Sequence, residues 1–215
     1  MKYKYTVIYK MRKTISVSVN SQNEITVRCP WGVHEWQIEK FLESKRKWLD
    51  KVVFENALRL SKNTTLLDFK EILVGGVKLP LEISDKNQIT ETAVYVKSLG
   101  EIKNLYINTF GNGFVNFVKS LAEEMRVTVN NIMLKFFKGK WGCCDSKSNL
   151  SFNYILFMLP EDVKRYLVIH ELSHTICFNH TKAFWKLVEE YEPSYNVLRN
   201  KLKSYDFLIN IYSNL

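Results

Sequence analysis

The chain has 215 residues, of which 46% are hydrophobic and 25% charged, and its formal net charge is +9. These proportions are typical of a globular protein with its own core, and they exclude a disordered or fibrous chain. The positive charge would suit an anionic partner such as a nucleotide or nucleic acid, but the lysines are spread along the chain rather than clustered.

The cysteines and the N-terminal stretch bear on the cellular compartment. Cys143 and Cys144 are adjacent, and none of the four cysteines lies in a CxxC pair, which favours a reducing environment over a disulfide framework. The stretch from Met1 to Lys13 is interrupted by lysines and does not resemble a signal peptide. No apolar run approaches the ~20 residues that cross a bilayer. We therefore expect a cytoplasmic protein without a membrane segment.

The N-terminal half predicts a β-rich region with one long helix. Alternating apolar residues indicate three short strands within residues 5–27, arranged as an antiparallel meander, and apolar spacings of three or four indicate a helix over residues 34–60. Gly75-Gly76 is the expected turn of a hairpin over residues 71–84. The elements expected next are short strands at 92–96 and 105–108, a break at 111–113 and a helix at 114–125.

The C-terminal half predicts strands followed by two helices. Pro160, followed by acidic Glu161 and Asp162, is typical of a helix start, and Thr181 is a typical N-cap of a last helix. The expected strands before Pro160 cover residues 132–137, 140–144 and 150–159, with a polar turn at 145–149.

We place a domain boundary near residues 98–112. This gives a β-rich N-terminal region over 1–105, with its long helix, and an α+β domain over 106–215. A single continuous α+β unit would give the same pattern.

Residues 170–174 read His-Glu-Leu-Ser-His. Four residues of an α-helix turn through about 400°, so His170 and His174 lie about 40° apart on one face. This spacing lets both imidazoles bind one metal ion, and Glu171 can reach a water on that ion as general base. Apolar residues precede the motif, so the helix is expected to be buried, where unpaired histidines would be unfavourable.

A zinc site with two histidines needs a third protein ligand. In a continuous helix His180 would lie about 15 Å from His170, so the chain has to turn back between residues 175 and 180. Asn179 tolerates the left-handed conformation that such a turn uses. We favour His180 as the third ligand. The rival ligands are carboxylates of the following helix, namely Glu189, Glu190 and Glu192.

Three protein ligands leave one position for a water molecule, whose pKa zinc lowers toward ~7. Glu171 would take its proton and pass it to the leaving group. Tyr195 and Arg199 follow the motif and are candidate donors to the developing oxyanion. Ordinary packing and a solvated charge are equally good explanations for these two residues.

Several short runs carry a family resemblance. They are Trp141-Gly142-Cys143-Cys144, Leu150-Ser151-Phe152-Asn153, the 170–174 motif, Asn179-His180, Phe184-Trp185 and Pro193-Ser194-Tyr195. Together they resemble the YgjP-like metallopeptidase family and, more distantly, the SprT-like and WLM zinc proteases of the zincin group. The strong likeness covers residues 133–203. Weaker matches are Arg12-Lys13-Thr14 and Lys47-Trp48-Leu49.

The resemblance implies a zincin-like α+β fold, with antiparallel strands packed on the HExxH helix. It also implies one zinc ion on His170, His174 and His180, with Glu171 as the catalytic base. The family usually has Trp-Gly-Ser-Cys, whereas Cys143 stands here at the serine position, and a thiol differs from a hydroxyl in hydrogen bonding. A redox or second metal site at Cys143 and Cys144 is disfavoured because no matching ligands lie nearby in sequence.

The sequence is compatible with several functions. The favoured one is a zinc metallopeptidase that binds an extended peptide along the strands of residues 139–158. Hydrolysis of a nucleoside triphosphate would use the same water and base. A protease acting on nucleic-acid-bound proteins is a third hypothesis, although no nucleic-acid-binding signature is present. A purely structural zinc would not need Glu171.

Overall fold

The computed structural model describes residues 3–214 and is a mixed α+β structure, with 48% helix and 20% strand. The chain forms two compact units, one ending at Leu67 and one beginning at Asp68. The boundary expected near residues 98–112 lies inside the second unit, because a continuous helix of 23 residues, Ile102–Glu124, passes through it. Among the described residues, no helix has the length and apolarity needed to cross a bilayer.

The first unit combines a small sheet with helices. Its elements are β1 (Tyr5–Tyr9), β2 (Ser16–Val19), β3 (Ile25–Cys29), α1 (Glu35–Ser44), α2 (Arg46–Ser61) and α3 (Thr64–Leu67). The strand order is β1-β3-β2, with β3 parallel to β1 and antiparallel to β2. The expected antiparallel meander is therefore wrong. Because β3 buries Ile25, Val27 and Cys29, it takes the centre of the sheet and separates β1 from β2.

The helix expected over residues 34–60 is two helices that meet at Lys45. The Lys45 N–H donates to the Leu42 carbonyl, a tight turn that ends α1 before α2 begins. Ile38 and Leu42 of α1 and Leu49 of α2 are all buried in one cluster with β3. A change of direction at Lys45 thus lets both helices place apolar residues against the same small sheet.

The second unit contains two sheets and a helical layer. Its elements are β4 (Glu71–Val74), β5 (Val77–Ile83), β6 (Gln88–Ile89), β7 (Val94–Val96), α4 (Ile102–Glu124), β8 (Asn131–Lys135), β9 (Gly142–Cys144), β10 (Asn149–Asn153), α5 (Glu161–Ser173), α6 (Lys182–Tyr191), α7 (Tyr195–Ser204) and α8 (Asp206–Ile211). The sheet orders are β4-β5-β7-β6 and β8-β10-β9. Helix α5 contacts β9, α4, α6 and α7, so it lies at the centre of this unit.

Helix α4 contains two regions that the sequence pattern assigned differently. Residues 105–108, expected as a strand, and the expected break at 111–113 are both helical. Gly111 is buried, and a Cβ there would lie only 3.3 Å from Leu134 Cδ1 in β8. This glycine therefore permits close packing of α4 on the strand rather than ending the helix, and packing outweighs its low helix propensity.

The β4–β5 hairpin has the expected glycine turn, and this turn contacts the segment that leads into α5. Gly75 and Gly76 both have positive φ, +59° and +89°. Their N–H groups donate to the carbonyls of Phe157 and Met158, at 2.9 Å each. These carbonyls belong to a buried 3₁₀ segment, Tyr154–Met158, just before α5. The hairpin thus holds the start of the central helix.

Gly76→Ala is expected to destabilise the protein by on the order of 3 kcal/mol. A Cβ at Gly76 would lie 2.6 Å from Pro160 Cγ, and its φ of +89° is unfavourable for any L side chain. Gly75→Ala is the matched control, since it also has positive φ but meets nothing within 4 Å, and it should cost about 1–2 kcal/mol. Urea unfolding of both variants measures the difference, and equal losses would show that the Pro160 contact is unimportant.

Candidate metal centre

The histidines of the motif lie at the C-terminal end of α5. The helix begins after Pro160 and ends at Ser173, with His174 as its C-cap. Ser173 is fully buried, and its hydroxyl donates to the Ile169 carbonyl at 2.7 Å. The residues just before the motif, Leu167, Val168 and Ile169, are apolar and buried, so the motif lies at the end of a helix that belongs to the core.

The chain turns back after His174, as the spacing required. The N–H groups of Ile176 and Cys177 both reach the Ser173 carbonyl, at 3.2 and 2.9 Å. The Thr181 N–H donates to the Asn179 carbonyl at 2.7 Å, and the Thr181 side chain caps α6. Asn179 is not among the residues with positive φ. The expected left-handed conformation there is therefore wrong, because these tight hydrogen-bonded turns reverse the chain without it.

This turn brings His180 next to the two histidines of α5. One nitrogen of each of His170, His174 and His180 lies within 4.8 Å of the others. His170 Nε2 and His180 Nε2 are 3.1 Å apart, close to the ~3.3 Å between two nitrogens that bind zinc tetrahedrally. His174 Nδ1 is 3.1 Å from the Cys177 carbonyl. If Nδ1 carries the proton and donates it there, Nε2 is left as the metal-binding atom.

The electrostatics of the cluster fit a metal ion. Burial, together with the neighbouring His174 and His180, lowers the pKa of His170 to about 3. Burial also lowers the pKa of His180. The nitrogen of His170 that faces His180 is Nε2, and its Nδ1 atom is buried without a hydrogen-bond partner among the described residues. Convergent imidazole nitrogens form a donor set that zinc and related divalent ions prefer.

Glu171 lies against strand β9. Its side chain is only 5% exposed, and a Cβ on Gly142 would come within 2.8 Å of its Oε1 atom. Burial raises the pKa of Glu171 to about 8, while the positive charge of Lys140 acts in the opposite direction. Only a glycine at position 142 leaves room for the carboxylate at this place.

Long-range hydrogen bonds hold the segment before β9. The Trp141 indole N–H donates to Asp206 Oδ1 of α8 at 2.8 Å. The buried Asn153 side chain donates to the carbonyls of Phe137 and Lys140, at 3.0 and 3.1 Å. Sequence reasoning did not assign roles to Trp141, Gly142, Asn153 or Asp206. A glycine within a short strand is the one signal of close approach that could have identified Gly142.

Tyr195 and Arg199 both contact Trp185, and the Trp185 ring in turn contacts His180 of the cluster. The Trp185 ring stacks on His180 at a centroid distance of 5.5 Å and on Tyr195 at 5.4 Å. The Arg199 guanidinium lies 4.6 Å from the centre of the Trp185 ring, and its charge contributes to the lowered pKa values of His170 and His180. Both residues thus contact a ring that itself contacts His180, and Trp185 is a contact that the sequence did not reveal.

The rival acidic ligands lie outside the histidine cluster among the described residues. Glu189 and Glu190 are exposed. Glu192 is near Arg165, with 3.9 Å between its Oε2 and Arg165 Nε, and its other oxygen accepts from the Ser194 N–H at 3.3 Å.

The adjacent cysteines are also outside the cluster. Both Cys143 and Cys144 are half-buried and free. Burial, with a contribution from Glu171, raises the pKa of Cys144 to about 11. This thiol is therefore protonated at neutral pH, which is the opposite of what a reactive or metal-binding cysteine needs.

Comparison with curated proteins and with solved structures gave no match. A family model described as "YgjP-like, metallopeptidase domain" matches residues 13–205. The match begins in the first unit, so it includes parts of both units as well as the histidine cluster. The chain belongs to the YgjP-like metallopeptidase family.

Proposed function

We propose that this protein is a zinc metallopeptidase, with one zinc ion held by His170, His174 and His180 and with Glu171 as general base. The observation that carries the proposal is the convergence of three imidazole nitrogens within 4.8 Å, next to a buried glutamate on the same helix. Helix α5 also packs against β9, one strand of the antiparallel pair β9–β10, which supports the zincin-like arrangement that the family resemblance implies.

Glu171 has the position that a proton-transfer group needs. A bound zinc ion would supply Lewis acidity, lowering the pKa of a water molecule and polarising the carbonyl of the scissile bond. The positive charge of an ion held by the histidines would lower the pKa of the buried Glu171, so that its carboxylate would accept the proton of the attacking water and then deliver it to the leaving amine. Since Glu171 is buried between α5 and β9, its carboxylate is held in one place by packing, which favours the correct geometry for transfer.

Strand β9 is suited to bind the main chain of a peptide. It is an edge strand of the order β8-β10-β9. The Asn153 N–H donates to the Trp141 carbonyl, and the register pairs Cys143 with Ser151. Because the main-chain groups of successive residues point to opposite sides of a strand, Gly142 and Cys144 direct theirs to the open edge. An extended substrate paired there would pass next to Glu171.

Tyr195 and Arg199 are the proposed donors to the oxyanion that develops on the scissile carbonyl. Their contacts with Trp185, which stacks on His180, support this role. A phenol O–H and a guanidinium are both able to donate to such an oxygen.

Gly142→Ala should lower the turnover number about 10- to 100-fold while zinc content and fold are kept. The added Cβ would lie 2.8–3.0 Å from the Glu171 side chain, so the carboxylate has to move. Gly113→Ala in α4 is the matched control, because a Cβ there meets nothing within 4 Å, and its turnover should be unchanged. Steady-state kinetics with zinc analysis measure both. Normal turnover of the Gly142 variant would show that the Glu171 position is not critical.

The activity is tested by screening zinc-loaded protein against a peptide library and a panel of nucleoside triphosphates, with Glu171→Gln as the control. We expect peptide cleavage by the wild-type protein and none by the variant. Hydrolysis confined to nucleotides would overturn the peptidase assignment while leaving the metal site in place. Absence of any zinc uptake would overturn the whole proposal.

A further inference from the structure

Three lysines lie between the end of β8 and the start of β9. They are Lys135, Lys138 and Lys140, which take three of the six positions of residues 135–140, and all three are exposed. Lysines occur along the whole chain, but these come directly before the strand that contains Gly142, the residue packed against Glu171. A concentration of positive charge therefore lies next to the proposed site of hydrolysis.

Hydrogen bonds fix the backbone of this segment. The Asn153 side chain donates to the carbonyls of Phe137 and Lys140, at 3.0 and 3.1 Å. The Asn153 N–H donates to the Trp141 carbonyl at 2.7 Å. The lysine side chains therefore extend from a backbone that is held against the end of β10.

Phe137 holds two of the lysine side chains. The ammonium nitrogens of Lys135 and Lys140 lie 4.9 and 4.6 Å from the centre of its ring. Such cation–π contacts restrain the position of a charge. An ammonium group has three N–H donors, and a contact with a ring face leaves donors available to an anion.

No carboxylate pairs with these lysines within residues 3–214. The salt bridges of this part of the chain involve other cations. Asp206 of α8 contacts the segment, but its Oδ1 atom accepts the Trp141 indole N–H at 2.8 Å. The positive charge before β9 is therefore available to an anionic group of a ligand.

The opposite end of β9 has a charge that is already hydrogen-bonded. Asp145 follows Cys144 and accepts the N–H groups of Lys147 and Asn149, at 2.8 and 3.0 Å. Its other oxygen accepts the Asn149 side-chain amide at 2.9 Å. A peptide bound along the edge of β9 would therefore meet available charge at the Lys140 end of the strand.

Lys140 is close enough to the site to contact a bound substrate. It lies two residues before Gly142, and two residues of extended chain span at most about 7 Å. Its positive charge acts on Glu171, so the two side chains are near each other. A peptide paired with β9 would place a residue about two positions from the cleaved bond beside Lys140.

We propose that Lys140, together with Lys135 and Lys138, selects peptides that have an aspartate or glutamate about two residues from the cleaved bond. The substrate carboxylate accepts hydrogen bonds from the ammonium groups that Phe137 holds in place. This inference rests on the proposed peptidase function and deepens it by naming acidic peptides as the substrate class. Because the lysines are exposed, they contribute more to specificity than to total affinity.

Binding is measured with full-length, zinc-loaded Glu171→Gln protein, so that no peptide is cut. The probes are fluorescent eight-residue peptides that alternate valine with glutamate, glutamine or lysine, followed by anisotropy at low salt. The glutamate peptide should bind about fivefold more tightly than the glutamine peptide, as expected for exposed ion pairs, and the lysine peptide most weakly. Salt at ~1 M, where the Debye length is about 3 Å, should remove most of this difference.

Variants of the lysines connect the preference to this segment. Lys140→Ala should remove most of the preference for the glutamate peptide, and Lys140→Glu should reverse it in favour of the lysine peptide. Lys147→Ala is the matched control, because Lys147 is an exposed lysine at the other end of β9, and it should keep the preference. The ratio between peptides is the readout, since a shift of β9 would affect all three peptides alike.

Kinetics of the protein with Glu171 intact give a second readout. In a peptide found by the library screen, glutamate about two residues from the cleaved bond should raise kcat/KM about fivefold over glutamine. Lys140→Ala should abolish this gain. Equal binding of the glutamate and glutamine peptides, or a preference that survives Lys140→Ala, would overturn the inference.

The remaining outcomes separate this inference from its alternatives. Lys140-dependent binding of a nucleoside triphosphate or an oligonucleotide, with no preference for the glutamate peptide, would assign the lysines to phosphate groups and overturn the inference. Lys140-dependent binding of the glutamate peptide without cleavage of any peptide would support the binding preference while contradicting the proposed peptidase function.

Discussion

Replacement of Glu171 by glutamine is expected to lower the turnover number by about a hundredfold or more, with zinc content and stability close to those of the wild type. Glutamine has nearly the same volume, so it fits the space beside Gly142 that the carboxylate occupies. It cannot accept the proton of a water molecule. Since Glu171 is outside the histidine cluster, the number of metal ligands does not change.

Glu161→Gln is the matched control for this variant. Glu161 lies in the first turn of the same helix and pairs with Lys164 at 2.6 Å, far along the helix from the cluster. Its turnover should be normal. Kinetics on a peptide found in the screen, elemental analysis and circular dichroism together separate lost chemistry from lost metal or fold. If the Glu171 variant turns over normally with zinc bound, another group activates the water.

Local sequence signals predicted the parts of the site that are close together in the chain. The four-residue spacing of His170 and His174 needs only a helix, and Pro160 and Thr181 mark where α5 starts and α6 is capped. The return of His180 to the cluster followed from the distance that a continuous helix would impose. Each of these inferences depends on about one turn of backbone, where spacing and capping determine the geometry.

The sequence pattern did not predict contacts between segments that are distant in the chain. Gly111 looked like a break because glycine is a weak helix former, yet close packing against Leu134 keeps it helical. The order of β1, β2 and β3 depends on which strand is most buried, and alternation alone does not reveal this. The contact between Gly142 and Glu171 joins a strand to a helix far along the chain. Such contacts depend on tertiary packing, which periodicity does not encode.

His180→Ala is expected to lower zinc affinity by more than a hundredfold. Loss of a residue that only hydrogen-bonds to a metal ligand usually lowers affinity by about 10- to 100-fold. The wild-type protein should bind one zinc ion per chain. His170 and His174 come from one helix face, and His180 is the third residue of the cluster, with its Nε2 atom 3.1 Å from His170 Nε2. Without it, two histidines remain, and two protein ligands seldom hold zinc firmly.

Glu190→Ala and Glu192→Ala are the matched variants, and both should bind zinc as the wild type does. Glu190 is exposed, and Glu192 is near Arg165 and the Ser194 N–H instead of the histidines. Glu192→Ala is therefore expected to affect stability slightly and metal affinity little. Competition titration with a chromogenic chelator measures all three variants. Normal zinc binding by His180→Ala, with loss in a glutamate variant, would mean that the third ligand is a carboxylate and that α6 moves toward α5 when zinc binds.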